Sequence, residues 1–155
     1  MDNLHRHSLL LKKNWEELSE TEQKLAQRAI DASANAYAPY SKFLVGAAAL
    51  LANQEIVIGS NQENAAYPSG LCAERTCLFA VGAQFPSIPI LKLAIYSPSV
   101  QDTTKAVSPC GGCRQVLYES EMRQSQAIEI LLISPDLSIF IAQESQVFLP
   151  YPFGF

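Results

Sequence analysis

The chain has 155 residues, of which 48% are apolar and 17% charged, with a formal net charge of −4. That length suits one core, expected as a single domain over residues 1–155, and the apolar fraction excludes a disordered chain. The acidic balance, without a Lys/Arg run, argues against a nucleic-acid backbone as partner. No apolar run approaches the ~20 residues of a membrane-spanning helix.

The opening "MDNLHRHSLLLKKNWEE" lacks the long apolar stretch and small-residue cleavage site of a secretory signal. The expected location is therefore the cytoplasm, where thiols stay reduced. Paired cysteines there point to metal or catalysis before disulfides. Residues 1–18 form an extension with no evident role, and His5 and His7 read as solvated.

Ser19 precedes Glu22 by three residues, a capping-box spacing that opens a helix. Leu25, Ala26, Ala29, Ile30 and Ala36 continue it at helical spacing until Pro39. Residues 43–52 and 55–60 read as strands joined at Asn53-Gln54 into a hairpin. The first is rich in alanine, with Gly46, which suits a strand covered closely by a helix.

From Cys72, "CAERTCLFAVGAQF" reads as a helix with Ala73, Cys77, Ala80 and Val81 on one face. Residues 90–98 form a strand. "CGGCRQVLYESEMR", after Pro109, forms another helix with Val116, Leu117 and Met122 turned inward. "AIEILLISP" and "LSIFIAQ" are the last two strands. About four residues separate them, too few for a parallel crossover, so they pair antiparallel. The fold class expected is α/β: three layers (α/β/α) around a mixed sheet of about five strands, the last one antiparallel.

The four cysteines fall in two groups, Cys72 with Cys77 and Cys110 with Cys113. C-x-x-C at a helix start can turn both sulfurs to one point, a common zinc clamp, and the helix N-terminus favours thiolate. Cys72, at a second helix start, can supply a third sulfur if the two helix ends meet. Cys77 lies about 140° around the helix from Cys72 and reads as an inert core thiol.

Three ligands leave an open tetrahedral position, the pattern of catalytic zinc, in which water takes the fourth site and its pKa falls. Three thiolates oppose hydroxide formation, an effect that Arg75 or Arg114 and the helix dipoles can offset. Glu74, two residues past Cys72, can sit beside that water as a general acid and base. A four-cysteine structural site stays open on spacing alone. The pairing of C-A-E at one helix start with P-C-x-x-C at another is the signature of zinc deaminases in their three-cysteine variant.

At these residues the chain resembles the small homotetrameric cytidine deaminases. The resemblance spans residues 36–154. It is carried by "AYAPYSKFLVGAAAL" (36–50), "NQENAAYP" (61–68), "CAERT" (72–76), "SPCGGCRQVL" (108–117) and "LPYPFG" (149–154). It implies hydrolytic deamination of cytidine and 2′-deoxycytidine in pyrimidine salvage, with one zinc per subunit and no nucleic-acid or membrane partner.

It implies Cys72, Cys110 and Cys113 as metal ligands and Glu74 as proton carrier. Asn61 and Glu63 would bind the ribose, chiefly its 3′-hydroxyl. Phe43 would pack on the base, Ala73 would contact substrate, Arg75 would moderate the charge of the thiolate site, and Phe153 would reach a neighbouring subunit's site. Taken alone, Asn61 and Glu63 read equally well as a capped turn, and Phe43 as core. Cys77 and Gly112 depart from the family's motifs.

Three rivals remain at this level. They are a deaminase for another aminopyrimidine such as blasticidin S, a polynucleotide base deaminase, and a structural four-cysteine zinc protein. The N-x-E-N-A-x-Y run disfavours the first. The acidic charge and the antiparallel terminal hairpin disfavour the second.

Overall fold

The computed structural model describes residues 10–154; His5 and His7 lie outside them. The capping box forms as expected. The Glu22 amide donates to Ser19 Oγ, the Glu22 carboxylate accepts from the Ser19 amide, and helix α1 runs Glu20–Ser33. Ala36 falls beyond its end. Strands β2 (Gly46–Leu51) and β3 (Ile56–Ser60) make the predicted hairpin. Helix α2 (Ala73–Gln84) follows, then β4 (Ile90–Tyr96), α3 (Gly111–Gln124), β5 (Glu129–Ile133) and β6 (Ile139–Ala142).

The sheet has six strands rather than about five. The extra one is β1, Leu11–Lys13, contributed by the N-terminal extension and paired antiparallel with β6. The strand order is β1-β6-β5-β4-β2-β3. Only β4 and β5 run parallel, linked through α3; β5 and β6 pair antiparallel across their short connection, as loop length requires.

Period-two alternation divides β2 between two cores. Ala47, Ala49 and Leu51 pack with Cys77, Leu78, Val81 and Leu117 of α2 and α3. Ala48 and Leu50 pack on the other face with Leu25, Ala26 and Ala29 of α1. Helices thus cover both faces, giving the three-layer α/β/α arrangement.

Small residues permit this closeness. A Cβ on Gly46 would stand 2.1 Å from the Ala29 carbonyl oxygen, and one on Gly59 would stand 2.5 Å from the Cys77 amide nitrogen. Strand β2 begins at Gly46 and not at Phe43, because residues 43–45 leave the ladder. Met122, expected inside, is exposed; the inner face of α3 is spent on Cys113 and Leu117.

Candidate functional site

Helices α2 and α3 both start beside the same end of the sheet. Cys72 is the N-cap of α2 and Cys110 that of α3, each in extended backbone. Cys113 lies one turn into α3 and is fully buried. The sulfurs of Cys72 and Cys110 are 3.5 Å apart, and those of Cys110 and Cys113 3.4 Å. All three lie within 4.8 Å of one another.

Zinc–thiolate bonds of about 2.3 Å at tetrahedral angles would put the sulfurs about 3.8 Å apart. The Cys72–Cys110 and Cys110–Cys113 spacings lie within a few tenths of an ångström of that value, and the 4.8 Å limit on the set is compatible with a single ion. The chemistry of the donor set agrees. The Cys72 thiol is drawn down to about 5, first by the Cys113 thiol and then by Arg75. The Cys113 thiol is pushed up by the neighbouring Cys72 sulfur and by burial. Ionisation is favoured at Cys72 and opposed at Cys113 beside it, and a cation among the sulfurs would relieve that opposition.

Cys77 faces away from the cluster. Its side chain is fully buried, its Sγ donates to the Val57 carbonyl at 3.2 Å, and burial pushes it up to about 12. The four-sulfur arrangement therefore has no fourth sulfur within reach.

Glu74, at the second position of α2, is 4% exposed. Burial, reinforced by the charge on Cys72, pushes its carboxyl up to about 7. A carboxyl at that value exchanges protons near neutral pH. Arg75 Nη2 donates to Cys72 Sγ at 3.6 Å, while its Nε is buried without a partner among the described residues. Ala73, between Cys72 and Glu74, is fully buried.

A cavity of about 380 Å³ opens from this cluster between Cys72, Arg75, Asn61, Glu63, Tyr40 and Tyr67. Its size lies within the range of small-molecule sites. The Tyr40 and Tyr67 rings meet edge to face at 6.0 Å along its wall.

Asn61 and Glu63 are both engaged by the chain. Asn61 Nδ2 donates to the Phe43 carbonyl and its Oδ1 accepts from the Val45 amide, each at 2.8 Å. Glu63 accepts from the Tyr40 and Ser41 amides and from the Ser41 hydroxyl. The Ser41 hydroxyl, foremost, holds its carboxylate below the ordinary range. Asn64 caps the following turn, accepting from the Ala66 amide at 2.8 Å. The capped-turn reading of N-x-E-N is thus partly correct, yet Asn61 and Glu63 still line the cavity with hydrogen-bonding capacity to spare.

Phe43 is 37% exposed and lies next in the chain to this wall without lining the cavity. Phe153 folds back on α3, where the Gln115 carboxamide donates to its carbonyl and accepts from its amide. Tyr40, Ser41 and Tyr67 are wall residues that sequence reasoning passed over. All three stand inside the quoted motifs, but no spacing links Ser41 to Glu63. A second cavity, about 240 Å³, lies near Phe85, Ile88 and Arg123, away from the sulfurs.

A family model described as the cytidine and deoxycytidylate deaminase zinc-binding region matches residues 19–128. The cytidine deaminase of Halalkalibacterium halodurans is 43% identical over 97 residues, covering 63% of this chain and 70% of that protein. That of Sporosarcina psychrophila is 46% identical over 98 residues, covering 63% and 68%. The crystal structure of cytidine deaminase from Burkholderia pseudomallei superposes with a TM-score of 0.74 at 31% identity, covering 88% of this chain and all of that one. Among the described residues no helix is long and apolar enough to cross a membrane.

Proposed function

The chain belongs to the cytidine and deoxycytidylate deaminase family, and on that premise we propose that it hydrolyses cytidine and 2′-deoxycytidine to uridine and 2′-deoxyuridine with release of ammonia. The observation that carries this reading is the convergence of three cysteine sulfurs near a buried carboxyl, with Cys72 of that cluster lining a nucleoside-sized cavity.

Cys72, Cys110 and Cys113 hold the metal in this reading, one zinc per subunit. When bound, zinc on three thiolates supplies an activated water at its open fourth position. Glu74 moves the protons. It takes one from the attacking water and delivers it to the ring nitrogen beside the amino-bearing carbon. It then takes the proton of the new hydroxyl on that carbon and passes it to the leaving amine, so that the carbon–nitrogen bond breaks, the carbonyl forms and ammonia departs. Burial supports that role, since it keeps the carboxyl near the pH at which it must both accept and donate. Arg75 offsets thiolate charge through its contact with Cys72.

Asn61 and Glu63 bind the ribose 3′-hydroxyl, with Ala73 and Phe43 against the base. A clamp on the 3′-hydroxyl does not read the 2′ position, which supports both ribose and deoxyribose substrates. The described cavity lining carries one cation, Arg75, already engaged by Cys72, with the Glu63 carboxylate nearby. That lining favours an uncharged nucleoside over a nucleotide.

The wider reading is a single cytoplasmic domain that acts in pyrimidine salvage as a homotetramer. In it the apolar tail, with Tyr151 95% and Phe153 69% exposed on the lone chain, packs on a neighbour, and Phe153 reaches that neighbour's site.

The test is the ultraviolet absorbance of cytidine with purified protein beside a Glu74→Gln control. The wild type should convert cytidine to uridine. The variant should keep its zinc and lose at least about 100-fold in rate. Folded, zinc-loaded wild type that leaves cytidine unchanged overturns the reading.

A further inference from the structure

Residues 43–45 continue β2 toward the cavity, but no ladder holds them. Gly46 is the last β2 residue paired on both sides, to Ser60 of β3 and Tyr96 of β4. Beyond it both neighbouring strands have ended, and side chains from residues just past each strand take over. Asn61, one residue beyond β3, bonds the Phe43 carbonyl and the Val45 amide, and its own amide donates to the Val45 carbonyl.

On the other side stands Ser97, one residue beyond β4. Its hydroxyl donates to the Leu44 carbonyl at 2.6 Å and accepts from the Ser99 amide at 3.2 Å. The Leu44 amide donates to Ser99 Oγ at 2.9 Å. The Phe43 amide donates to Ser41 Oγ, the hydroxyl that also serves Glu63. All six backbone polar groups of residues 43–45 are satisfied, five of them by side chains.

We propose that Ser97, together with Ser99, is a positioning residue for the deamination: it fixes the Leu44 peptide and thereby sets where Asn61 stands in the cavity wall and Phe43 beside it. This rests on the functional reading above. Ser97 touches no substrate in this assignment. Asn61 can offer its remaining hydrogen-bonding capacity to a sugar only while both ends of its carboxamide stay on Phe43 and Val45. Those two groups flank the peptide that Ser97 and Ser99 hold from the far side. Ser97 is fully buried, so no water replaces its hydroxyl when it is removed.

The experiment compares Ser97→Ala, Ser99→Ala and Ser99→Thr with wild type in cytidine turnover, thermal melting and amide hydrogen exchange at Leu44. The expected result is faster Leu44 exchange in both alanine variants. KM should rise about tenfold with kcat within about threefold, since a binding contact is misplaced and the proton chemistry is intact. Ser99→Thr, which keeps the hydroxyl, should restore KM.

Ser99 is half-buried, so its variants decide the matter if Ser97→Ala fails to fold. Faster Leu44 exchange with unchanged KM, in a wild type that turns over cytidine, overturns this inference alone. A rise in KM that Ser99→Thr does not reverse also overturns it. A wild type inactive on cytidine overturns the functional reading and this inference with it.

Discussion

The sulfurs of Cys72 and Cys110 stand 3.5 Å apart across a separation of 38 residues, and each residue is the N-cap of its helix. Two helix N-termini therefore aim their unpaired amides and positive dipole ends at one cluster of sulfurs. The cluster is set by how α2 and α3 start beside the same end of the sheet, and Cys113 joins it from one turn further on.

Cys77 is excluded from this cluster by its place on α2, and its replacement separates packing from ligation. Cys77→Ala should keep the full zinc content, measured by metal analysis of the purified protein. It should lose about 1–2 kcal/mol of stability, from the small cavity left and the lost thiol hydrogen bond to the Val57 carbonyl. Cys113→Ala should lose the metal. Zinc lost from the Cys77 variant would restore the four-cysteine alternative.

How much of this was legible in the sequence depends on the range of the interaction. The capping box at Ser19 and Glu22 is local, and it formed as read. The antiparallel pairing of β5 and β6 followed from a connection too short for anything else. Strand β1 was not legible. Leu-Lys-Lys has no alternation to read, and its pairing with β6 depends on contacts across most of the chain. The start of β2 was misplaced for a related reason, since residues 43–45 look extended but are held by side chains of Asn61, Ser97 and Ser99. C-x-x-C announced a shared point for Cys110 and Cys113; the arrival of Cys72 there is a tertiary fact.

Two glycine substitutions should move stability in opposite directions. A Cβ on Gly46 would stand 2.1 Å from the Ala29 carbonyl oxygen, which is backbone and cannot swing aside. Gly46→Ala should cost about 2–4 kcal/mol or block folding. A Cβ on Gly112 would meet nothing closer than the Arg75 guanidinium carbon at 3.9 Å, an ordinary contact. Gly112 also has no positive φ. Gly112→Ala should gain about 0.5 kcal/mol from helix propensity. Urea unfolding of both variants checks the pair, and equal effects would contradict the close packing of α1 on β2.

The Lys92 ammonium joins Glu22 of α1 to Glu129 of β5, with its contact to Glu22 at 2.7 Å. Burial alone would raise the Glu22 carboxyl, but hydrogen bonds from Lys92 and Ser19 outweigh it and hold the group at about 2. A carboxyl lowered on folding lends stability above its unfolded value of about 4.5, and that stability is lost as pH falls toward 2. Lys92→Met should destabilise by about 1–2 kcal/mol at neutral pH. It should also flatten the loss of melting temperature between about pH 4.5 and pH 2. Parallel acid slopes in wild type and variant would show that the Lys92 contact does not set Glu22.

The tail is tied to the helix that carries two of the cysteines. Gln115, two residues past Cys113, donates to the Phe153 carbonyl at 2.9 Å and accepts from its amide at 3.1 Å. Arg114 donates to the Pro109 carbonyl and to the Phe148 carbonyl, spanning from just before Cys110 to the approach to the tail. Gln115→Ala should therefore speed hydrogen exchange at Phe153 while costing less than about 1 kcal/mol of stability, because both bonds lie near solvent. Gln115→Glu keeps the acceptor and loses the donor, so its exchange should fall between the two. If Phe153 serves a neighbour's site, both variants should lower turnover in the same order as their exchange rates, with zinc content unchanged. Turnover that stays at the wild-type level while Phe153 exchanges freely would detach the tail from the chemistry and leave it a packing element.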